Sequence, residues 1–133
     1  METLLGLEYK VWWLLVFGGV MTGYAVLDGF DLGAGALHLL LKKENSRRIA
    51  LNAIGPVWDG NEVWLVIAGG VLFAGFPVAY AAIFSAFYVP FMIFLVGLIW
   101  RGVAIEFRSK EPGTTWRMIW DFIYSFASIV ISL

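Results

Sequence analysis

Residues 56–64, PVWDGNEVW, decide the predicted fold class, because they place Asp59 and Glu62 at the start of a long apolar stretch. From Val63 to Trp100 the sequence contains no charged residue. An ionised acid inside hydrocarbon costs roughly 3 kcal/mol or more, so such acids are usually protonated, paired or placed along a water-filled path. The stretch therefore predicts membrane helices, and its two carboxylates predict a functional site.

The composition supports an integral membrane protein. Of the 133 residues, 61% are hydrophobic and 14% are charged, with a mean hydropathy of +0.83, whereas soluble domains average about 25% charged residues. The net charge of -1 provides no basic field for binding nucleic acid. The absence of cysteine excludes disulfides and thiolate metal sites. Because His38 is the only histidine, this chain alone cannot form a bis-histidine haem site, and we expect His38 to be an interfacial residue.

Four apolar segments, compared with the ~20 residues that span a bilayer, predict an all-α membrane protein whose four transmembrane helices form one bundle over residues 1–133. The predicted helices cover about 11–41, 49–76, 78–100 and 117–133. Gly75-Phe76-Pro77 predicts a tight turn between the second and third helices, with Pro56 and Pro90 inside helices. The fourth segment is short, so we expect it to be truncated and the chain to be the N-terminal portion of a longer one; the alternative is a split subunit. Small residues at Ala25, Gly29 and Gly33 predict close helix packing.

The positions of the Lys and Arg residues predict the orientation. One basic loop follows the first segment, and a second follows the third segment; their residues are Lys42, Lys43, Arg47, Arg48, Arg101, Arg108, Lys110 and Arg117. The N-terminal tail contributes only Lys10, and the turn at Pro77 contributes none. By the positive-inside rule, both basic loops are cytoplasmic and the N-terminus lies outside.

Helical spacing groups the membrane acids. Asp59 and Glu62 are three residues apart, as are Asp28 and Asp31, so each pair shares a helix face. With a rise of about 1.5 Å per residue, all four lie in the cytoplasmic half of the membrane. Asn52, seven residues before Asp59, falls on the same side. These residues predict a polar track for proton uptake; the alternative is that the acids only hydrogen-bond to neighbouring helices.

Arg101 admits two interpretations at the end of the third segment. Its guanidinium could neutralise one of the buried acids, since arginine pairs well with carboxylates. Alternatively, it could extend to the interface and anchor the helix there.

Several motifs together resemble subunit II of the cytochrome bd-type quinol oxidases, a family that includes the cyanide-insensitive oxidases. The matching stretches are DGFDLGAG at 28–35, NAIGP at 52–56, WDGNEVWL at 58–65, AGG at 68–70, RGVAIEFRSK at 101–110 and WRMIWD at 116–121. They cover nearly the whole chain in this order. The resemblance implies a multi-pass protein of a bacterial or archaeal cell (inner) membrane, in which this four-helix bundle is the first of two.

The resemblance also implies an activity and partners. The complex would oxidise quinol, reduce O2 to water and take protons from the cytoplasm. Subunit I, the heterodimer partner, would hold haem b and haem d, or b-type haems only. This chain would ligate no haem but would support haem assembly, and a small accessory membrane subunit could join the complex.

The resemblance places individual residues as well. Asp59 corresponds to an acid on the family's proton route and is the main candidate, with Glu62, Asp31, Asp28 and Asn52 as supporting members. Trp64 is a candidate for the border of an apolar oxygen route. Two alternatives from other classes are a small four-helix transporter that couples a membrane carboxylate to proton exchange, and a haem-free assembly scaffold.

Overall fold

The computed structural model describes residues 3–133 and is built almost entirely of helices. The helices are α1 (Tyr9–Ala36), α2 (Glu44–Ile54), α3 (Trp58–Gly75), α4 (Pro77–Ala86), α5 (Tyr88–Phe107) and α6 (Thr114–Ser132), with a 3-10 turn at His38–Leu40. Before α1, strand β1 (Thr3–Leu4) pairs antiparallel with β2 (Leu7–Glu8). Leu5 and Gly6, between the strands, both have positive φ, as tight hairpin turns require.

The apolar helices agree with the predicted all-α membrane class. Within residues 3–133, the stretch Tyr9–Leu40 and helix α5 are each long and apolar enough to cross a membrane. Helices α2 and α3 add a third crossing if this pair, bent by 47°, forms one span. The four-span bundle and the external N-terminus remain predictions.

Two prolines interrupt helices that were predicted to be continuous. Proline lacks an N–H and its ring clashes with the carbonyl four residues earlier. The segment predicted over 49–76 therefore breaks around Pro56 into α2 and α3, and α2 begins already at Glu44. The segment predicted over 78–100 breaks after Ala86, the residue four before Pro90, and gives α4 and α5.

The remaining helix bounds differ mainly where charged side chains are buried. Helix α5 continues to Phe107, seven residues beyond the predicted end at Trp100, because Arg101 is accommodated inside the bundle. The first predicted helix, 11–41, is α1 followed by the 3-10 turn, and the last, 117–133, is observed as Thr114–Ser132. The predicted turn between helices lies at Phe76, with Pro77 as the first residue of α4.

Helix α1 packs against α3 and α6, and α5 packs against α6. Close approach is set by Gly23, which belongs to a further group of small residues that also predicted close packing, and by Gly35, which was not predicted. A Cβ at Gly35 would lie 2.6 Å from the Cβ of Ser128 on α6, and one at Gly23 would lie 2.6 Å from the Trp64 ring on α3. A Cβ at Gly29 or Gly33 would meet nothing within 4 Å, so these two positions do not fix the packing.

Ionisable side chains occupy the interior of this bundle, and apolar side chains cover its outside. The most deeply buried large side chains include Arg101, Arg108, His38, Asp28, Asp31 and Asp121. Val66 and Val78, in contrast, are 72% and 82% exposed. This arrangement suits a protein surrounded by lipid or by a partner's helices, since apolar surface then faces an apolar solvent.

One end of the bundle collects most of the cations. There α1 and α5 finish and α2 and α6 begin. We call it the basic end, defined by Lys42, Lys43, Arg47, Arg48, Arg108, Lys110 and Arg117.

Candidate functional site

Arg101 lies at the centre of a buried charge network, the inner cluster, made of Asp28, Asp31, Asn61, Glu62 and Arg101. Arg101 Nη2 donates to Asp28 Oδ1 at 2.7 Å and also to Glu62 Oε1. Arg101 and Asp28 are both 0% exposed, while the Glu62 side chain is 20% exposed. The network thereby joins α1, α3 and α5 through a single guanidinium.

Asp31 enters the same cluster through an amide. It lies one turn after Asp28 on α1, and its Oδ2 accepts a hydrogen bond of 2.7 Å from Asn61 Nδ2. The same amide also donates to the carbonyl of Leu27 at 3.3 Å. Asn61 was not selected as a site residue from the sequence, although an amide between two membrane acids is a signal that could have identified it.

The inner cluster has more acid than base. It contains three carboxylates, of Asp28, Asp31 and Glu62, and one guanidinium. Asp28 Oδ2, Asp31 Oδ1 and two Arg101 nitrogens have no hydrogen-bond partner among residues 3–133. Buried polar atoms are nearly always satisfied, and two uncompensated charges in a membrane interior are costly. The cluster is therefore chemically suited to hold and release protons.

Asp59 and Asn52 lie outside the inner cluster. Both side chains are exposed on the outer surface. Asp59 is in the first turn of α3, one turn before Glu62, where the positive end of the helix dipole favours a carboxylate. The spacing argument that put Asn52 beside Asp59 does not hold, because the break at Pro56 separates their helices by a 47° bend.

A second network, the outer cluster, lies at the basic end and comprises His38, Glu44, Arg47, Arg108 and Asp121. Asp121 Oδ1 accepts from His38 Nε2 at 2.5 Å and from Arg108 Nε, and its Oδ2 accepts from Arg47 Nη1 at 3.1 Å. Arg108 Nη2 donates to both oxygens of Glu44 at 3.0 Å. Burial lowers the pKa of Arg108, but its hydrogen bonds to Asp121 and Glu44 outweigh that effect, and the net shift is upward. Arg108 stays charged.

The outer cluster was not predicted. His38 was expected at the interface, yet it is 0% exposed, with its ring edge-on to Tyr124 at 5.2 Å between centroids. Its Nε2 is engaged by Asp121, so His38 does not present that nitrogen to an external iron. Over the described part of the chain, no group of three His, Cys, Asp or Glu residues could hold a metal ion. Haem ligation by a partner remains a prediction.

Trp64 packs at the crossing of α1 and α3, with its ring against Gly23. An apolar cavity of about 410 Å³ lies nearby, between α1, α3, α4 and α5. Its lining includes Phe17, Leu65, Leu72 and Phe94 but not Trp64. The cavity is suited to an apolar molecule, and Trp64 stands beside it on the same helix as Leu65.

Comparison with known proteins gives consistent matches. Residues 9–133 match the family described as cytochrome bd terminal oxidase subunit II. The chain is 51% identical over 120 residues to cytochrome bd-I ubiquinol oxidase subunit 2 of Escherichia coli K12, covering 87% of this chain and 31% of that protein. It is 43% identical over 119 residues to cytochrome bd ubiquinol oxidase subunit 2 of Bacillus subtilis 168, covering 89% and 35%. The chain spans about a third of the length of the curated relatives it matches.

Proposed function

Because this chain belongs to the cytochrome bd terminal oxidase subunit II family, we propose that it serves in a membrane complex that oxidises quinol and reduces O2 to water. Subunit I is the proposed heterodimer partner and holds the haems, either b and d or b-type only. A small accessory membrane subunit completes the proposed assembly. The protein is multi-pass, lies in a bacterial or archaeal cell (inner) membrane, and supports haem assembly in subunit I.

The observation that carries a proton-handling role is the excess of carboxylates in the inner cluster. Reducing O2 to water consumes protons, which must cross apolar surroundings to reach the reaction. Asp28, Asp31 and Glu62 are drawn together there around one cation, Arg101. Because two of the three carboxylates must be protonated before the cluster is neutral around one guanidinium, the cluster supplies a reserve of exchangeable protons.

Asp59 is the proposed point of transfer. Its exposed carboxylate sits at the start of α3, among outward-facing apolar side chains such as Val63 and Val66. A carboxylate in that position is costly against lipid, which favours coverage by a partner with polar groups. We therefore place Asp59 against subunit I, with Glu62 one turn behind it.

The direction of uptake follows from the basic end. If both basic loops face the cytoplasm, as the positive-inside rule predicts, the N-terminus is outside and protons enter from the cytoplasmic side. Asn52, exposed on α2 at this end, is then at the entrance to the route and not within it.

Trp64 is proposed to border an oxygen route. The apolar cavity next to it suits O2, which partitions into apolar space. Replacing Trp64 with Leu should change the O2 concentration that gives half-maximal turnover while leaving the dependence on quinol concentration unchanged.

Two experiments test the proposed function. The first is the optical spectrum of the complex purified through this subunit, which should show b-type haem bands with or without haem d; a haem-free complex would contradict the oxidase assignment. The second is turnover of Glu62→Gln, which should fall several-fold per haem, against Glu106→Gln as a control. Glu106 is an exposed acid on α5 and lies outside both clusters. The small proton-coupled transporter is not favoured, given the family match.

A further inference from the structure

A polar cavity of about 620 Å³ opens at the basic end, separate from the inner cluster. We call it the arginine cavity; its lining residues are Glu44, Asn45, Arg48, Asn52, Arg108, Ser109 and Arg117. Every one of these side chains is polar or charged, whereas the cavity beside Trp64 is lined by apolar groups. Its volume is within the range typical of small-molecule sites.

The charge of the arginine cavity is positive. Three arginines and one carboxylate line it, which leaves two positive charges in excess. Asp121 does not line the cavity, but its carboxylate accepts hydrogen bonds from Arg108, Arg47 and His38 and partly neutralises their charge. Counting Arg47 and Asp121 leaves the same excess of two, so the internal ion pairs do not neutralise this surface.

Two of the arginines are free to accept a ligand. Arg48 forms no ion pair with any residue of the described chain. Arg117 has only a long contact, 3.5 Å from Nη1 to Glu44 Oε1, and its buried Nε has no hydrogen-bond partner within residues 3–133. Arg108 is already held by Glu44 and Asp121, so it provides a fixed charge at the base of the cavity.

We propose that the arginine cavity binds a phosphate group, supplied by the headgroup of an anionic phospholipid or by free phosphate. The planar guanidinium matches phosphate oxygens in pairs, and asparagine amides add neutral donors. Basic pockets between membrane helices at the cytoplasmic surface are suited to anionic headgroups. The lipid source rests on the proposed membrane placement; the phosphate chemistry does not. Glu44 faces the ligand as a like charge and limits its affinity.

The test uses the purified oxidase complex with the full-length chain, stripped of lipid in a neutral detergent. Native mass spectrometry follows saturable binding of phosphatidylglycerol. Each basic residue near an anionic headgroup contributes about fivefold, so Arg48→Gln with Arg117→Gln should weaken binding about 25-fold. The matched control is Lys42→Gln with Lys110→Gln, which removes two charges from the same end without touching the cavity. We expect the control to weaken binding less than threefold.

A competition arm separates the two sources. Inorganic phosphate is added at millimolar concentration to the wild-type complex with bound phosphatidylglycerol. Displacement of the lipid by phosphate identifies free phosphate as an occupant of the arginine cavity. Retention of the lipid under the same conditions identifies the phospholipid headgroup as the occupant. Equal losses in the two double variants, or no saturable binding, would overturn the proposal.

A fallback variant and a separate haem measurement distinguish a loss of lipid binding from a failure of the complex to assemble. If the double variant does not assemble, the single change Arg48→Gln replaces it, with an expected loss of about fivefold, because Arg48 makes no ion pair that assembly requires. Haem spectra of the same samples report separately on the oxidase assignment, so failure of one proposal is distinguishable from failure of the other.

Discussion

Replacing Arg101 with Gln should be among the most damaging single substitutions in this chain. Arg101 and Asp28 are fully buried and 2.7 Å apart, and Glu62 shares the same guanidinium nitrogen. Removing one partner of a buried pair leaves a charge without compensation and typically costs about 3–5 kcal/mol. Arg101→Gln leaves two carboxylates in that condition, so we expect a loss in the upper part of this range.

The assay is equilibrium unfolding of the purified complex in mixed micelles with increasing SDS. Arg47→Gln is the matched control: Arg47 also pairs with a buried acid, at 3.1 Å, but its side chain is 22% exposed and Asp121 keeps two other donors. We expect Arg47→Gln to cost about 1 kcal/mol. Combining Arg101→Gln with Asp28→Asn should recover at least about 1 kcal/mol, because the uncompensated carboxylate is then absent.

Two results would refute this reasoning. One is a loss for Arg101→Gln no larger than that for Arg47→Gln, which would mean that the cluster is solvated in the assembled protein. The other is strict additivity of Arg101→Gln and Asp28→Asn, which would mean that the two side chains do not interact.

Further substitutions test the packing and the outer cluster. Gly35→Ala should lower the free energy of unfolding by about 1–3 kcal/mol, because the new methyl group would overlap Ser128. Gly33→Ala should be nearly neutral, because a Cβ at Gly33 meets no atom within 4 Å. Measured by the same SDS unfolding, equal effects of the two glycine changes would contradict the observed crossing of α1 and α6. Asp121→Asn should cost about 3–5 kcal/mol, since it weakens the acceptor of three cationic or histidine side chains, and the exposed Glu106→Gln should change stability by less than about 0.5 kcal/mol. A small loss for Asp121→Asn would show that the outer cluster contributes little to stability.

The sequence was sufficient for the membrane class, and it drew attention to the acids of the inner cluster without separating them from Asp59 and Asn52. Long apolar runs without charge have few alternatives to membrane helices. Acids within such runs need partners or a polar path, so spacing and depth grouped all four membrane acids with Asn52 in one polar track. The structure brings Asp28, Asp31 and Glu62 together in the inner cluster and leaves Asp59 and Asn52 outside it. Arg101 could be named as a partner but not assigned, because a long side chain at a helix end can reach inward or outward equally well.

The helix breaks and the outer cluster could not be predicted in the same way. Prolines are tolerated within membrane helices when neighbours satisfy the freed carbonyls, so Pro56 and Pro90 did not by themselves predict interruption. Once Pro56 breaks the helix, the periodicity that joined Asn52 to Asp59 no longer applies. His38 and Asp121 are 83 residues apart in sequence, and only the packing of α6 beside the end of α1 brings them together.

Proton delivery is tested most directly by Asp59→Asn in the full complex. Because the Asp59 side chain is exposed and outside both clusters, the change should leave assembly and haem content near normal. Loss of a group that transfers protons should slow quinol-driven O2 consumption per haem by at least about tenfold. Loss of the haems with unchanged turnover per remaining haem would contradict the account and assign Asp59 a structural role.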